Sequence, residues 1–193
     1  MPNTAKSFAV ELLEILLLAL GLYVVITFAV QTVHVIGYSM VPTLNDNDYV
    51  LATKADLRFT TPARGDIVIL RNPLDSQQDF VKRVIALPGE TLKITDGRVY
   101  INGNQLDEPY LPSNDPWTVQ NNWPLRANES EGVIPKGQYF VMGDNRNHSS
   151  DSRVFGTIRL DEIQSRAWIR LLPLDHAGFL GPRSRFSAAS NRG

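Results

Sequence analysis

The chain has 193 residues, which is enough for one domain with a sizeable core and one small additional segment. Its net charge is -1, and its lysines and arginines are scattered along the sequence, so we expect no nucleic acid partner. The absence of cysteine excludes disulfides and a cysteine nucleophile, and His34, His148 and His176 lack the close spacing of metal ligands.

The first predicted element is a membrane-spanning helix. From Phe8 to Val30 the chain is almost continuously apolar, and Ile15 to Val30 carries no charge. About 20 apolar residues are enough to cross a bilayer. We therefore predict a cytoplasmic segment, residues 1–7, and a transmembrane anchor over residues 8–32. A cleaved secretory signal and a buried core helix are the alternatives.

The charges that flank this segment predict its orientation. Lys6 precedes it, whereas no lysine or arginine follows it until Lys54. Because positive charge favours the cytoplasmic side of a membrane, we expect the bulk of the chain on the non-cytoplasmic side.

Short extended segments follow the anchor and predict a mainly β domain over residues 33–175. Seven runs are rich in β-branched and aromatic residues and are separated by turn-forming residues. Asp96-Gly97 predicts a two-residue hairpin turn. The proline-rich stretch 107–138 is predicted to be a long loop, and we expect the tail, residues 176–193, to be flexible. The seven runs are residues 48–53, 66–70, 79–87, 91–95, 98–101, 138–142 and 167–172.

The segment "GYSMVPTL", Gly37 to Leu44, contains a candidate nucleophile, Ser39. A serine hydroxyl needs a partner that removes its proton. Lys82 in "QDFVKRVIALPGE" is the best candidate, because it is the only polar residue on one face of a predicted strand and apolar neighbours lower the pKa of a lysine. The plainer interpretation is a loop serine, with a lysine that extends to the strand edge or pairs with an acid.

A third segment, "MGDNRNHSSDSRVFG" from Met142 to Gly156, is dense in Asp, Asn, Ser and Arg, which predicts a network of side-chain donors and acceptors. The anchor, "GYSMVPTL", "RGDIVIL", "VKRVIALPGE" and this segment appear in the order found in the bacterial type I signal peptidases. The chain resembles that family over nearly its whole length. The resemblance implies a signal-peptidase-like catalytic β domain with a single N-terminal transmembrane helix.

The resemblance also implies roles for individual residues. Ser39 is the implied nucleophile, with its backbone N–H as an oxyanion donor, and Lys82 is the implied general base. Ser149 would hydrogen bond to Lys82 and orient it. Structural support is implied for an ion pair of Asp151 with Arg153 and for the motif positions Asp144 and Arg146.

The chain departs from the family pattern at two places. Gly37 occupies a position where some members carry a hydroxyl residue that donates to the oxyanion. Asn147 and His148 occupy positions where aspartate and asparagine are familiar. His148 is therefore a rival base, although its polar surroundings show no sign of desolvation.

The implied activity is that of a serine endopeptidase that removes signal peptides from exported preproteins through an acyl-enzyme, without a cofactor or metal. The implied substrates have small residues before the cleavage site. We expect a monomer that crosses the lipid bilayer once, in a bacterial cell membrane or a thylakoid-type internal membrane.

Self-cleaving repressors of the SOS response share the Ser/Lys chemistry but are soluble and bind DNA. An alternative of another class is a membrane-anchored, non-enzymatic β domain that binds a partner through residues 143–153.

Overall fold

The structure is a computed structural model that describes residues 4–54, 57, 59–75, 77–112, 117–118, 123 and 132–180. It begins with a long helix, α1, from Thr4 to Ala29. Within the described residues, the stretch Val10–Ala29 is the one helical segment long and apolar enough to cross a membrane, with a mean hydropathy of 2.5. None of its described side chains is buried, so the alternative of a core helix is wrong.

Helix α1 ends before residue 32, the predicted end of the anchor, because the next residues form a strand. Strand β1, Val30–His34, pairs with β2, Tyr49–Thr53, and Val30 lies opposite Thr53. The N–H of Lys54 donates to the carbonyl of Ala29 at 2.9 Å. The apolar composition of β1 concealed it within the predicted anchor, and the chain passes from helix to sheet without a linker.

The rest of the described chain forms two antiparallel sheets and a short helix, α2, Ser152–Phe155. The prediction of a mainly β fold is confirmed. The larger sheet adds β3 Ile67–Arg71, β4 Asp79–Ala86, β9 Gln138–Met142, β10 Ile158–Arg159, β11 Ile163–Leu172 and β12 Gly178–Phe179 to the first two strands. The smaller sheet contains β5 Thr91–Thr95, β6 Arg98–Ile101, β7 Asn104–Gln105 and β8 Gly132–Val133.

Strand β4 lies inside the larger sheet, whose order is β1-β2-β11-β3-β4-β9-β10, with β12 paired to β11. The smaller sheet has the order β7-β6-β5-β8. All seven predicted runs are strands here, and the hairpin turn between β5 and β6 is confirmed. Its two turn residues, Asp96 and Gly97, both have positive φ, at 50° and 69°.

Three hydrophobic clusters, defined on the described residues, hold the sheets together. One packs the smaller sheet against β4 and β9, and Trp117 and Trp123 pack at its edge. A second lies beneath the loop after β1 and contains the fully buried side chains of Met40 and Leu44. The third fills the space around β3, β4 and β9. The loop that carries Ser39 is therefore anchored directly in the core.

The predicted start of the tail also differs from the structure. The tail predicted from residue 176 is ordered as far as Leu180, because β12 pairs with β11 and Leu180 is buried in the second cluster. Residues 181–193 lie outside the described part of the chain. Within the predicted long loop, Trp123 pairs with Ile94, and residues 113–116, 119–122 and 124–131 lie outside the described part.

We expect a variant that lacks residues 1–29 to keep its fold and its melting temperature, because the three clusters contain no residue of α1. Alkaline carbonate should extract the shortened protein from membranes and leave the full chain in the pellet. Thermal unfolding followed by circular dichroism measures the fold. A shortened chain that remains in the pellet would contradict the assignment of α1 as the anchor.

Candidate active site

Ser39 lies half-buried on a tight loop between β1 and β2. Gly37 opens the loop with a φ of 100°, a conformation that glycine adopts without strain, and its N–H donates to Asp46 Oδ1 at 2.7 Å. Met40 and Leu44 hold the other side of the loop in the core. The hydroxyl is thus presented from a loop whose two sides are both fixed.

Lys82 lies in the middle of β4 and is 2% exposed. Its register partner on β3 is Val68, and its Nζ lies 4.7 Å from the centre of the Phe80 ring. The Lys82 Nζ donates to Ser39 Oγ at 2.8 Å, across 43 residues of sequence. The structure therefore brings together the two residues that the sequence singled out.

Burial changes the acidity of this lysine. It lowers the pKa of Lys82 from 10.5 to about 8, and the nearby Arg153 acts in the same direction. The carboxylates of Asp151 and Asp144 oppose the effect but do not cancel it. A neutral amine is therefore accessible at mildly alkaline pH, beside a serine hydroxyl from which it can accept a proton.

The segment that begins at Gly143 forms a buried ionic network around Lys82, together with Arg83 and Glu108. Each arginine of the network pairs with a carboxylate, and most of these side chains are at most 5% exposed. Asp151 also accepts a hydrogen bond from the N–H of Gly143 at 3.0 Å. The pairs are Arg83 with Asp144 at 2.8 and 2.6 Å, Arg153 with Asp151 at 2.8 and 2.7 Å, and Arg146 with Glu108.

The hydrogen bond expected from Ser149 to Lys82 is not present. Among the described residues, Ser149 Oγ is buried and has no hydrogen-bond partner. It lies against Gly143, and a Cβ added there would be 2.3 Å from Ser149 Oγ and 2.4 Å from the carbonyl oxygen of Ser39. The side chain is thus beside the nucleophile loop, and its role toward the lysine stays a prediction.

His148, the rival base, is exposed and lies on the turn of the same segment. Its N–H donates to the side-chain oxygen of Asn145 at 3.2 Å and to the backbone carbonyl of the same residue at 3.1 Å. Among the described residues, Lys82 makes a hydrogen bond to Ser39 Oγ and His148 does not.

Sequence reasoning missed three contributors to this site. Asn145 donates from its backbone N–H to the carbonyl of Ser39 at 3.0 Å and from Nδ2 to the carbonyl of Tyr38 at 3.1 Å. Arg83 is the ion-pair partner of Asp144, and Glu108 is the partner of Arg146. Only the density of polar residues around Asn145 pointed to such a role, and a pattern of residue types does not identify partners.

Comparison with known proteins identifies signal peptidases among the relatives of this chain. Residues 9–172 match the family model described as "Signal peptidase, peptidase S26". "Signal peptidase I" of Leptolyngbya laminosa is 37% identical over 175 residues, which cover 86% of this chain and 78% of that protein. "Signal peptidase I V" of Bacillus subtilis is 41% identical over 131 residues, or 66% of this chain and 77% of that protein. A crystal structure of a signal peptidase I from Enterococcus faecalis has 34% identity, covers 55% of this chain and 97% of its own, and has a TM-score of 0.47.

We expect Gly143→Ala to lower the free energy of unfolding by about 2 kcal/mol, because the added methyl group overlaps the backbone carbonyl of Ser39, which the N–H of Asn145 holds in place. Thermal unfolding should then occur about 4–8 °C lower. Gly178→Ala is the matched control, since no atom lies within 4 Å of its added Cβ. Equal melting temperatures for the two variants would contradict the close approach at Gly143.

Lys82→Met should raise the free energy of unfolding at pH 7 by about 2 kcal/mol. The folded pKa of Lys82 lies below its unfolded value, so burial of the ammonium costs about 3 kcal/mol below pH 8, partly offset by the hydrogen bond to Ser39. The gain should disappear as the pH rises from about 8 to 10.5. Denaturant titrations at pH 6, 8 and 10 measure it, and a gain independent of pH would contradict the lowered pKa.

Proposed function

Because the chain belongs to the signal peptidase family, peptidase S26, we propose that it is a membrane-anchored serine endopeptidase whose nucleophile and general base are Ser39 and Lys82. The observation that carries the proposal is the 2.8 Å contact between Lys82 Nζ and Ser39 Oγ, made by a lysine whose pKa burial lowers to about 8. A serine next to a base that is neutral near working pH is the arrangement that nucleophilic catalysis requires.

The reaction begins when neutral Lys82 accepts the proton of Ser39. The serine oxygen attacks the scissile carbonyl and forms a tetrahedral intermediate, and Lys82 then donates the proton to the departing amine. A water molecule enters, gives a proton to the same lysine and attacks the carbonyl of the acyl-enzyme. Lys82 then returns that proton to Ser39 Oγ as the ester bond breaks. The lysine returns to its starting state, so one residue serves as base and acid in both halves of the reaction.

The oxyanion needs hydrogen-bond donors that are already in position. The N–H of Ser39 makes no hydrogen bond to another described residue, which supports its assignment as one donor. The N–H of Gly37 donates to Asp46 and is already used. For Ser149 we propose that its Oγ accepts a hydrogen bond from an N–H of Lys82, because the hydroxyl is buried beside the loop and would otherwise stay unsatisfied. The single lone pair of the neutral amine is then left to accept the proton of Ser39.

The substrates that we propose are exported preproteins with small residues before the cleavage site. Ser39 follows the end of α1 at Ala29 by ten residues, which at about 3.3 Å each can reach at most about 33 Å from the bilayer. A peptide bond cut at that height belongs to a protein whose apolar signal is still in the membrane. We further propose a monomer that crosses a bacterial cell membrane, or a thylakoid-type internal membrane, once, with the β domain on the non-cytoplasmic side.

The alternative of a non-enzymatic domain that binds a partner through residues 143–153 has less support. Asp144, Arg146, Asp151 and Arg153 are all at most 5% exposed and engage one another or other residues of the chain. A binding loop presents its charged groups to solvent, and this segment directs them inward.

Cleavage of a preprotein by the detergent-solubilised full chain tests the proposal. The value of kcat/KM should rise with pH through about 8, because the neutral form of Lys82 is the active one, and at pH 7 it should be about tenfold below its plateau. Ser39→Ala and Lys82→Ala should each lower kcat by at least about 1,000-fold.

His148→Ala is the comparison variant, and it should retain cleavage together with the same rise near pH 8. Activity that survives Lys82→Ala and is lost in His148→Ala would reverse the assignment of the base. A wild-type chain that cleaves no preprotein, or an undiminished Ser39→Ala variant, would favour the non-enzymatic alternative.

A further inference from the structure

Five side chains from three parts of the chain stack into one column next to the active site. Arginine and aromatic residues alternate along it, and successive ring-to-guanidinium distances lie in the range of cation–π contacts. We call this column the cation–π ladder. Its members in order are Arg83, Tyr110, Arg146, Trp117 and Arg153, with distances of 4.1, 5.9, 5.2 and 5.1 Å between neighbours.

The guanidinium groups of the ladder contact carboxylates and aromatic rings at the same time. They donate to the three carboxylates of the ionic network, and their Cζ atoms lie 4.1–5.9 Å from the centres of the two rings. A guanidinium with five N–H donors and a planar shape allows both kinds of contact, and a lysine would not. Each ring therefore lies against two ion pairs that are nearly inaccessible to water.

Both rings come from the predicted long loop, outside the polar segment and the two catalytic motifs. Tyr110 Oη donates to Glu108 Oε1 at 2.6 Å and accepts from Arg146 Nη2 at 3.0 Å. Next to Trp117, the N–H of Thr118 donates to Asn147 Oδ1 at 2.8 Å. The loop is thus fastened to the polar segment by hydrogen bonds at both ladder positions.

The smaller sheet supports the ladder at Trp117, on the side away from the arginines. A Cβ at Gly97, in the turn between β5 and β6, would lie 3.3 Å from the carbonyl oxygen of Trp117 and 3.4 Å from its Cβ. The same ring packs against the cluster beneath the smaller sheet. The position of Trp117 is therefore determined by the sheet on one side and by Arg146 and Arg153 on the other.

We propose that Tyr110 and Trp117 are positioning residues for the general base: they hold the arginines of the buried ionic network in place and keep water away from it. This inference rests on the proposed role of Lys82 as that base. Neither ring touches Lys82 or Ser39 in the described contacts, and both act through the ion pairs that surround the lysine.

The charged groups that face Lys82 explain how the ring of Trp117, which does not touch the lysine, can affect its pKa. Asp151, Asp144 and Arg153 are the groups whose charges act on it, and all three belong to the polar segment. Opening the ladder at Trp117 would admit water and release Arg153 from its place. Both changes favour the ammonium form, so the pKa of Lys82 should move upward from about 8 toward 10.5.

The first test compares pH profiles of preprotein cleavage for the full-length chain and its Trp117→Leu variant. The rise in kcat/KM should move upward by about one pH unit. At pH 7 the variant should be about tenfold slower, and the difference should shrink at higher pH because both lysines are then neutral. Trp117→Phe should restore most of the wild-type profile, since a smaller ring still covers the two arginines.

Trp123→Leu is the matched control. This tryptophan belongs to the same loop and packs against Phe140 with ring centres 4.9 Å apart, but in the described contacts it covers no arginine. It should lower the melting temperature and leave the pH profile unchanged. The inference is wrong if the profile of Trp117→Leu superimposes on that of the wild type, or if Trp123→Leu shifts the profile equally.

Tyr110 provides a second pair of variants should Trp117→Leu fail to fold. Tyr110→Leu removes the ring between Arg83 and Arg146 and should shift the profile upward, whereas Tyr110→Phe keeps the ring and should shift it less. Identical profiles for Tyr110→Leu and the wild type would overturn the inference.

A measurement without turnover separates this inference from the proposed function. The pH dependence of the stability difference between Lys82 and Lys82→Met chains reports the pKa of Lys82 directly. It should show a higher pKa in the Trp117→Leu background than in the wild type. A higher pKa in a chain whose Lys82→Ala variant still cleaves would support the ladder and refute the dyad, and an unchanged pKa would refute the ladder alone.

Discussion

The structure depends on keeping the side-chain amine of Lys82 away from water. Lys82 must be close to Ser39 and shielded from water, because exposure to solvent would return its pKa to that of an ordinary lysine. The position on β4 meets both conditions, since this strand lies inside the larger sheet and is buried from Lys82 to Ala86. The cost is about 3 kcal/mol at neutral pH, a large fraction of the stability of a domain. The surrounding core must therefore be rigid enough to exclude water.

Buried charge around the lysine is balanced pair by pair. Arg83, Arg146 and Arg153 each bind a carboxylate, so the charge of each of these buried arginines is neutralised by a direct neighbour. Such pairs add little net stability, but removing one partner leaves a buried charge that destabilises the fold. Their contribution is geometric, because bidentate contacts fix the turn that approaches Ser39 through Gly143 and Asn145.

The two sheets make different contributions to the site. The larger sheet carries the lysine and anchors the nucleophile loop through Met40 and Leu44. The smaller sheet contributes no group to the proton transfer, yet it shares a hydrophobic cluster with β4 and β9 and supports Trp117. A domain with a single sheet would expose one face of the ionic network to water. The second layer supports the ionic network through Trp117, which contacts Arg146 and Arg153.

Local patterns in the sequence determined the apolar helix, seven of the eight described strands of four or more residues and the Asp96-Gly97 hairpin, because each depends on residues adjacent in the chain. The order of the motifs and the apolar face around Lys82 also singled out Ser39 and its partner. The two-residue strands such as β12, the choice of Arg83 rather than Arg146 as partner of Asp144, and the place of Ser149 were decided only by the tertiary structure. Arg83 and Asp144 are 61 residues apart, and composition cannot rank several arginines and carboxylates as partners. That choice follows from which strands become neighbours, and strand pairing is a property of the whole chain.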